Sequence, residues 1–208
     1  MKTDGMTEDE INARHAEKMA KKKAARDKII ATKTIEKGLL IVHTGKGKGK
    51  STAAFGMVCR AIGHGHKVGV VQFVKGKWQT GERVVLEAFA DQVMIKTMGE
   101  GFTWETQDRE RDQQLVEAAW QTALGYLRDA SVKLVLLDEL NVALKLGYIE
   151  AGAVIAGLNE RPELTHVTVT GRGAPAELVE RADLVTEMTL VHHPFREQGV
   201  KAQAGIEF

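Results

Sequence analysis

The densest chemistry in this sequence lies in nine residues, Thr44-Gly45-Lys46-Gly47-Lys48-Gly49-Lys50-Ser51-Thr52, that follow a short apolar run and precede a helical pattern. Glycines in such a turn let backbone N–H groups converge on an anion with no Cβ in the way, and the start of the helix adds partial positive charge. The stretch is therefore predicted to cradle a polyphosphate through Gly45, Lys46, Gly47, Lys48, Gly49, Lys50, Ser51 and Thr52. Lys50 would lie against phosphate oxygens and the Ser51 hydroxyl would ligate a magnesium ion. The usual phosphate loop places four residues between its first glycine and its Gly-Lys pair, whereas Gly45 and Gly49 enclose only three.

A second pair of groups complements the loop. In LVLLDEL, Asp138 and Glu139 emerge at the end of an apolar run, where a parallel sheet collects its ligands, so at least one carboxylate should reach the cation held by Ser51. A hydrolase or kinase would also need a group to orient water or a hydroxyl, and a cation for the transferred charge; Glu139, Arg60 and Arg172 are available. Phe102 and Trp104 stand two apart in the Gly-flanked string GFTWETQ, in a chain with only eleven aromatics. They either pack into the core or form an aromatic wall for a flat apolar ligand.

These groups must be positioned by regular elements, and the hydrophobic pattern supplies them. GLLIVHTG reads as a strand, Ser51 to Ala61 as a helix ended by Gly63, and KVGVVQFV as a second strand. Glu82 to Ala90 reads as a brief helix, QVMIKTM as a third strand, Thr106 to Ala130 as the longest helix of this region and VKLVLLD as a fourth strand. Helical material from Leu140 to Leu158, interrupted near Gly147, precedes the strand HVTVTG; a helix from Ala174 to Ala182 opened by Pro175 precedes the strand LVTEMTLV. Strands that are apolar throughout and alternate with helices predict an α/β fold: a mainly parallel six-stranded sheet with helices on both faces. The ending HHPFREQGVKAQAGIEF shows no period and is expected as a tail over the surface or over a site.

At 208 residues, with 43% hydrophobic and 27% charged residues, the chain suits one globular domain with an appendage and excludes a fibrous or generally disordered protein. A lone Cys59 can form neither an internal disulfide nor a multi-thiolate metal site, which fits a reducing cytoplasm. Asp4, Glu8, Asp9 and Glu10 stand where a secretory leader would be apolar, and no apolar run approaches the roughly 18 residues of a membrane span. Charge is unevenly spread: Ile11 to Lys37 carries nine Lys/Arg against three Asp/Glu, whereas residues 38–208 carry 19 basic and 21 acidic residues. Residues 1–37 are thus expected to form a basic helical arm, either solvated or folding over an anionic ligand, ahead of a domain spanning 38–208. The near-neutral domain offers no continuous footprint for nucleic acid, which weakens a reading as a nucleic-acid-associated switch.

The strings TGKGKGKSTAAFG, RAIGHGHKVGVVQF, GFTWETQ, VLLDELN, TGRGAP and GVKAQAGIEF together closely resemble the ATP:corrinoid adenosyltransferases of the cobalamin pathway, from about Gly38 to Phe208. The phosphate loop of that family is likewise one residue short, and Lys46 departs from the Asn usual at its position. The arm resembles the family by position and basic helical character. The resemblance implies a P-loop NTPase domain of the RecA-like type that transfers the 5′-deoxyadenosyl group of ATP to the Co(I) centre of a reduced corrinoid and releases triphosphate. It also implies Mg2+ (or Mn2+), a homodimer, a transient flavoprotein reductant, a cytoplasmic location, and neither nucleic acid nor membrane as partner. Phe102 and Trp104 match the aromatic pair that packs at the lower face of the corrin and favours four-coordinate Co(II). Arg60 and Arg172 are implied as nucleotide contacts by their places in matching strings. An ATPase or kinase on the same fold is the enzymatic alternative.

Overall fold

The continuous apolar runs become strands of one sheet, in a computed structural model that describes residues 6–74, 80–97 and 108–207. The chain divides into two units, one ending at Glu36 and the other beginning at Lys37. The first holds α1 (Glu8–Ala31). Its start is fixed by a capping box: the Thr7 hydroxyl accepts from the Glu10 amide at 3.3 Å, and the Glu10 carboxylate accepts from the Thr7 amide at 2.8 Å. Glu8, Asp9 and Glu10 in its first turn and Lys28 in its last complement the helix dipole.

The second unit runs β1 (Leu40–Thr44), α2 (Lys50–Gly63), β2 (Lys67–Gln72), α3 (Gly81–Glu87), β3 (Val93–Thr97), α4 (Arg109–Arg128) and β4 (Val132–Asp138). It continues with α5 (Leu140–Lys145), α6 (Ala151–Leu158), β5 (His166–Thr170), α7 (Ala176–Arg181), β6 (Leu184–Glu187) and α8 (Pro194–Gln198). The strand order is β3-β2-β4-β5-β1-β6, and every pairing is parallel. Successive residues of a strand face opposite sides, and here both sides are covered. Val71, Val135 and Leu137 pack with Trp120, Ala123 and Leu127 of α4 on one face. Val68, Val70, Leu134 and Leu136 pack with Ala54, Phe55, Val58 and Ile62 of α2 on the other. Gly69 has a packing reason in the middle of β2: a Cβ there would come within 2.6 Å of the Tyr126 ring, so the glycine lets α4 lie close.

Boundaries differ from the sequence reading where the tertiary structure intervenes. β2 ends at Gln72 and not at Val74, and β6 keeps only the four exposed residues Leu184–Glu187 of LVTEMTLV, because from Met188 the chain turns to serve the loop after β1. The long helix is trimmed to Arg109–Arg128 and is capped by the Asp108 carboxylate, which accepts from the Arg111 amide at 3.1 Å. The tail contains α8, begun by Pro194 and ended by Gly199 in the left-handed region at φ 67°. Among the described residues no helix is long and apolar enough to cross a membrane.

Candidate polyphosphate site

Thr44 ends β1, and Gly49 caps the N-terminus of α2 with no side chain of its own. The first turn of α2 carries no acidic residue, so its unpaired amides and dipole are left for an anion. Gly45 and Gly49 adopt φ 93° and 96°, a region closed to most side chains. Close approach adds a second demand at Gly45 and Gly47, where a Cβ would come within 2.5 and 2.7 Å of the Met188 carbonyl oxygen. That contact is a tether: the Met188 amide donates to the Thr44 carbonyl at 2.9 Å, and the Gly47 amide donates to the Met188 carbonyl at 2.6 Å.

Lys50 is only 7% exposed although it begins a surface helix. Its ammonium donates to the Gly45 carbonyl at 3.0 Å and also to the Gly47 carbonyl, so the loop wraps around it. Burial, together with the charge of Arg172, holds this ammonium below the usual lysine range, and Glu139 opposes the shift. Lys50, Arg172 and Glu139 therefore share one electrostatic neighbourhood. Beneath them His43 is buried, and its Nδ1 lies 3.2 Å from the Lys50 carbonyl oxygen, a hydrogen bond that requires the proton on Nδ1. On the outer side Lys48 pairs with Glu207 of the tail.

The acidic end of β4 separates its two carboxylates. Asp138 is fully buried; it accepts from the Thr170 hydroxyl at 2.8 Å and from the Gln72 amide at 3.1 Å, and Gln72 in turn accepts from the Thr97 hydroxyl at 2.9 Å. Glu139, half-buried, sits at φ 62°, the one non-glycine residue with positive φ among those described. Such a backbone costs energy and persists where surroundings hold it; here the Glu139 amide donates to the Thr170 hydroxyl at 3.0 Å. The turn brings the Glu139 carboxylate to Gly171, where a Cβ would stand 3.2 Å from its Oε2. One strand, β5, lies between β4 and β1, so the ends carrying Glu139 and the loop are about 10 Å apart at ordinary strand spacing.

The fold thus gathers the loop from Gly45 to Thr52, including Lys46, Lys48 and Ser51, with Glu139 and Arg172 at the C-terminal edge of the sheet. It does not bring Arg60 to the loop: this residue is exposed in the last turn of α2, about 15 Å along the helix from Lys50. Phe102 and Trp104 lie outside the described residues. Among the described residues no cluster of three His, Cys, Asp or Glu could hold a metal alone; a hard cation between Ser51 and Glu139 would have to share oxygen ligands with the nucleotide. Sequence reasoning missed Gln72, Thr170 and Asn141, whose signal was a polar residue inside or beside an apolar run, and Met188, which had none.

Comparison with known proteins adds an independent line. The profile of the family described as ATP:corrinoid adenosyltransferase BtuR/CobO/CobP matches residues 36–208, and that of the Cob(I)alamin adenosyltransferase N terminal matches residues 6–30. A corrinoid adenosyltransferase of a Sinorhizobium species is 59% identical over 199 residues, covering 95% of this chain and 92% of the relative. One of Pseudomonas aeruginosa is 56% identical, with 96% and 98% covered, and one of Escherichia coli is 46% identical, with 94% and 98% covered.

Proposed function

Because this chain belongs to the ATP:corrinoid adenosyltransferase family, we propose that it transfers the 5′-deoxyadenosyl group of ATP to the Co(I) centre of a corrinoid and releases triphosphate. The observation that carries this reading is the short glycine loop closed around a buried Lys50, with Arg172 and Glu139 in electrostatic reach. The cobalt lone pair forms the bond to C5′, the C5′–O bond breaks, and its electron pair leaves on the triphosphate. No proton moves. What the protein must supply is orientation and a cationic, amide-lined seat for the leaving group. Lys50 exchanges the Gly45 and Gly47 carbonyls for phosphate oxygens, Arg172 adds a second cation, and the α2 N-terminus supplies amides.

The hydroxyl of Ser51 and the carboxylate of Glu139 are hard oxygen donors of the kind Mg2+ or Mn2+ prefers, and they would hold that ion, whose chemistry is to neutralise triphosphate charge. Asp138, with both oxygens accepting hydrogen bonds from Thr170 and Gln72, anchors the strand end that presents Glu139. Phe102 and Trp104 form the apolar wall for the lower face of the corrin. Residues 1–37 are an arm and 38–208 the catalytic domain of a cytoplasmic homodimer that takes its electron from a transient flavoprotein reductant. The test is anaerobic incubation with ATP, Mg2+ and chemically reduced cobalamin. A light-sensitive adenosylcorrinoid formed in step with intact triphosphate is expected; orthophosphate released without alkylated corrinoid would make the chain an ATPase instead.

A further inference from the structure

We propose that Asn141 is a positioning residue that holds the two cations of the polyphosphate site, Lys50 and Arg172, in register with each other. The inference rests on the reading that the loop binds ATP. Asn141 is the second residue of α5 and is fully buried. Its side-chain amide donates to the His43 carbonyl at 3.3 Å and to the Gly171 carbonyl at 3.1 Å. One NH2 group thereby joins the ends of two strands. The His43 carbonyl belongs to the peptide that leads into Thr44 and the loop; the Gly171 carbonyl belongs to the peptide that leads into Arg172. A third link closes the triangle, because the Ala174 amide donates to the Thr44 hydroxyl at 3.2 Å.

Gly171 is fitted to this arrangement. At φ 125° a Cβ would stand 3.0 Å from the Asn141 Cβ and 3.1 Å from the Val142 amide nitrogen, so only glycine lets α5 approach closely enough. The restraint has something to resist. Lys50 follows β1 through the loop and Arg172 follows β5, the strand paired with β1, so the two cations share one edge of the sheet, and like charges on unrestrained loops relax apart.

The asparagine carries a cost that simple packing would avoid. Its Oδ1 is buried and has no hydrogen-bond partner among the described residues, whereas an apolar residue of the same shape would leave no orphan acceptor. Two N–H donors on one planar group are what this position uses, and an ionised carboxylate of the same shape has none.

The test is a cycle of Asn141→Asp, Arg172→Ala and the double variant, reading the ATP KM with chemically reduced corrinoid in excess, the corrinoid KM and the melting temperature. Asn141→Asp and Arg172→Ala should each raise the ATP KM about tenfold and leave the corrinoid KM unchanged, and the double variant should exceed Arg172→Ala by no more than about twofold. A merely structural asparagine would lower the melting temperature without moving the ATP KM, or would multiply in full with Arg172→Ala; either result overturns the inference. An unchanged ATP KM in Arg172→Ala would overturn the reading of the phosphate site itself, and the inference with it. Should Asn141→Asp fail to fold, Asn141→Ser, which keeps one donor, enters the same cycle with about a threefold effect expected, and the same outcomes decide.

Discussion

Replacing Lys50 by methionine removes a charge while nearly keeping the shape of the side chain, so the loss reports the charge. Lys50 is 7% exposed and its ammonium is held by the carbonyls of Gly45 and Gly47, so it meets phosphate already oriented and largely dehydrated. Exposed ion pairs contribute about 0–1 kcal/mol; a hydrogen bond to a charged group contributes roughly 1.5–3 kcal/mol, and the buried site belongs to the second class. At about 1.4 kcal/mol per tenfold, that range is roughly a 10- to 150-fold fall in kcat/KM for ATP. The pH dependence of fold stability also has a definite sign. Burial and Arg172 depress the folded-state pKa of Lys50 below the ordinary 10.5. Between the two values the unfolded chain binds more protons, so the wild type gains stability relative to Lys50→Met as pH rises toward 10.5, and below the folded pKa the cost of the buried charge is fully present. The assay is anaerobic adenosylation of pre-reduced corrinoid across a range of ATP concentrations, with triphosphate quantified and melting curves taken on the same preparations. A kcat/KM within about threefold of wild type would refute the assignment of this loop as the site.

Other perturbations probe separate parts of the reasoning. Ser51→Ala should raise the Mg2+ concentration needed for half-maximal activity about tenfold, as expected for loss of one oxygen ligand, and a metal titration showing no shift would remove Ser51 from the cation's coordination. Phe102→Ala combined with Trp104→Ala should abolish adenosylation that starts from Co(II) and a weak reductant while sparing chemically generated Co(I), with the melting temperature nearly kept. Equal loss in both assays, or the roughly 3–5 kcal/mol of destabilisation expected for each buried aromatic, would mean these rings only fill space. Asp183 accepts from Lys37 and, at 2.9 Å, from the Leu40 amide, which hold its carboxyl below the usual 3.8. Its stabilisation is present above that value and lost as pH falls through the folded pKa, so urea unfolding of Asp183→Asn should show a deficit at pH 7 that shrinks as the pH is lowered below 3.8; a constant deficit would place its origin elsewhere.

Much of this protein was legible one residue at a time. VKLVLLD became β4 with the expected bounds, because a strand buried on both faces is apolar at nearly every position, here all but Lys133 ahead of the closing Asp138, and that demand is written locally. The glycine turn after β1 was legible for the same reason: positive φ at Gly45 and Gly49 is a property of those residues and their immediate neighbours. Resemblance in a few short strings carried the family. What no local pattern could supply was which distant groups would meet. Asp138 and Glu139 are chemically near-identical neighbours, yet the strand turns at Glu139, so one carboxylate goes to Thr170 and Gln72 in the interior and the other to the edge beside Gly171. Arg60 shares the loop's helix but stands about three turns from the loop, whereas Arg172, more than a hundred residues distant in sequence, comes into electrostatic reach of Lys50 because β5 lies next to β1. Asn141 acquires its two acceptors from His43 and Gly171 in the same way. Hydrophobic periodicity is set by the nearest few residues, while the partner of a buried polar group is set by strand order, and strand order exists only once the sheet has closed.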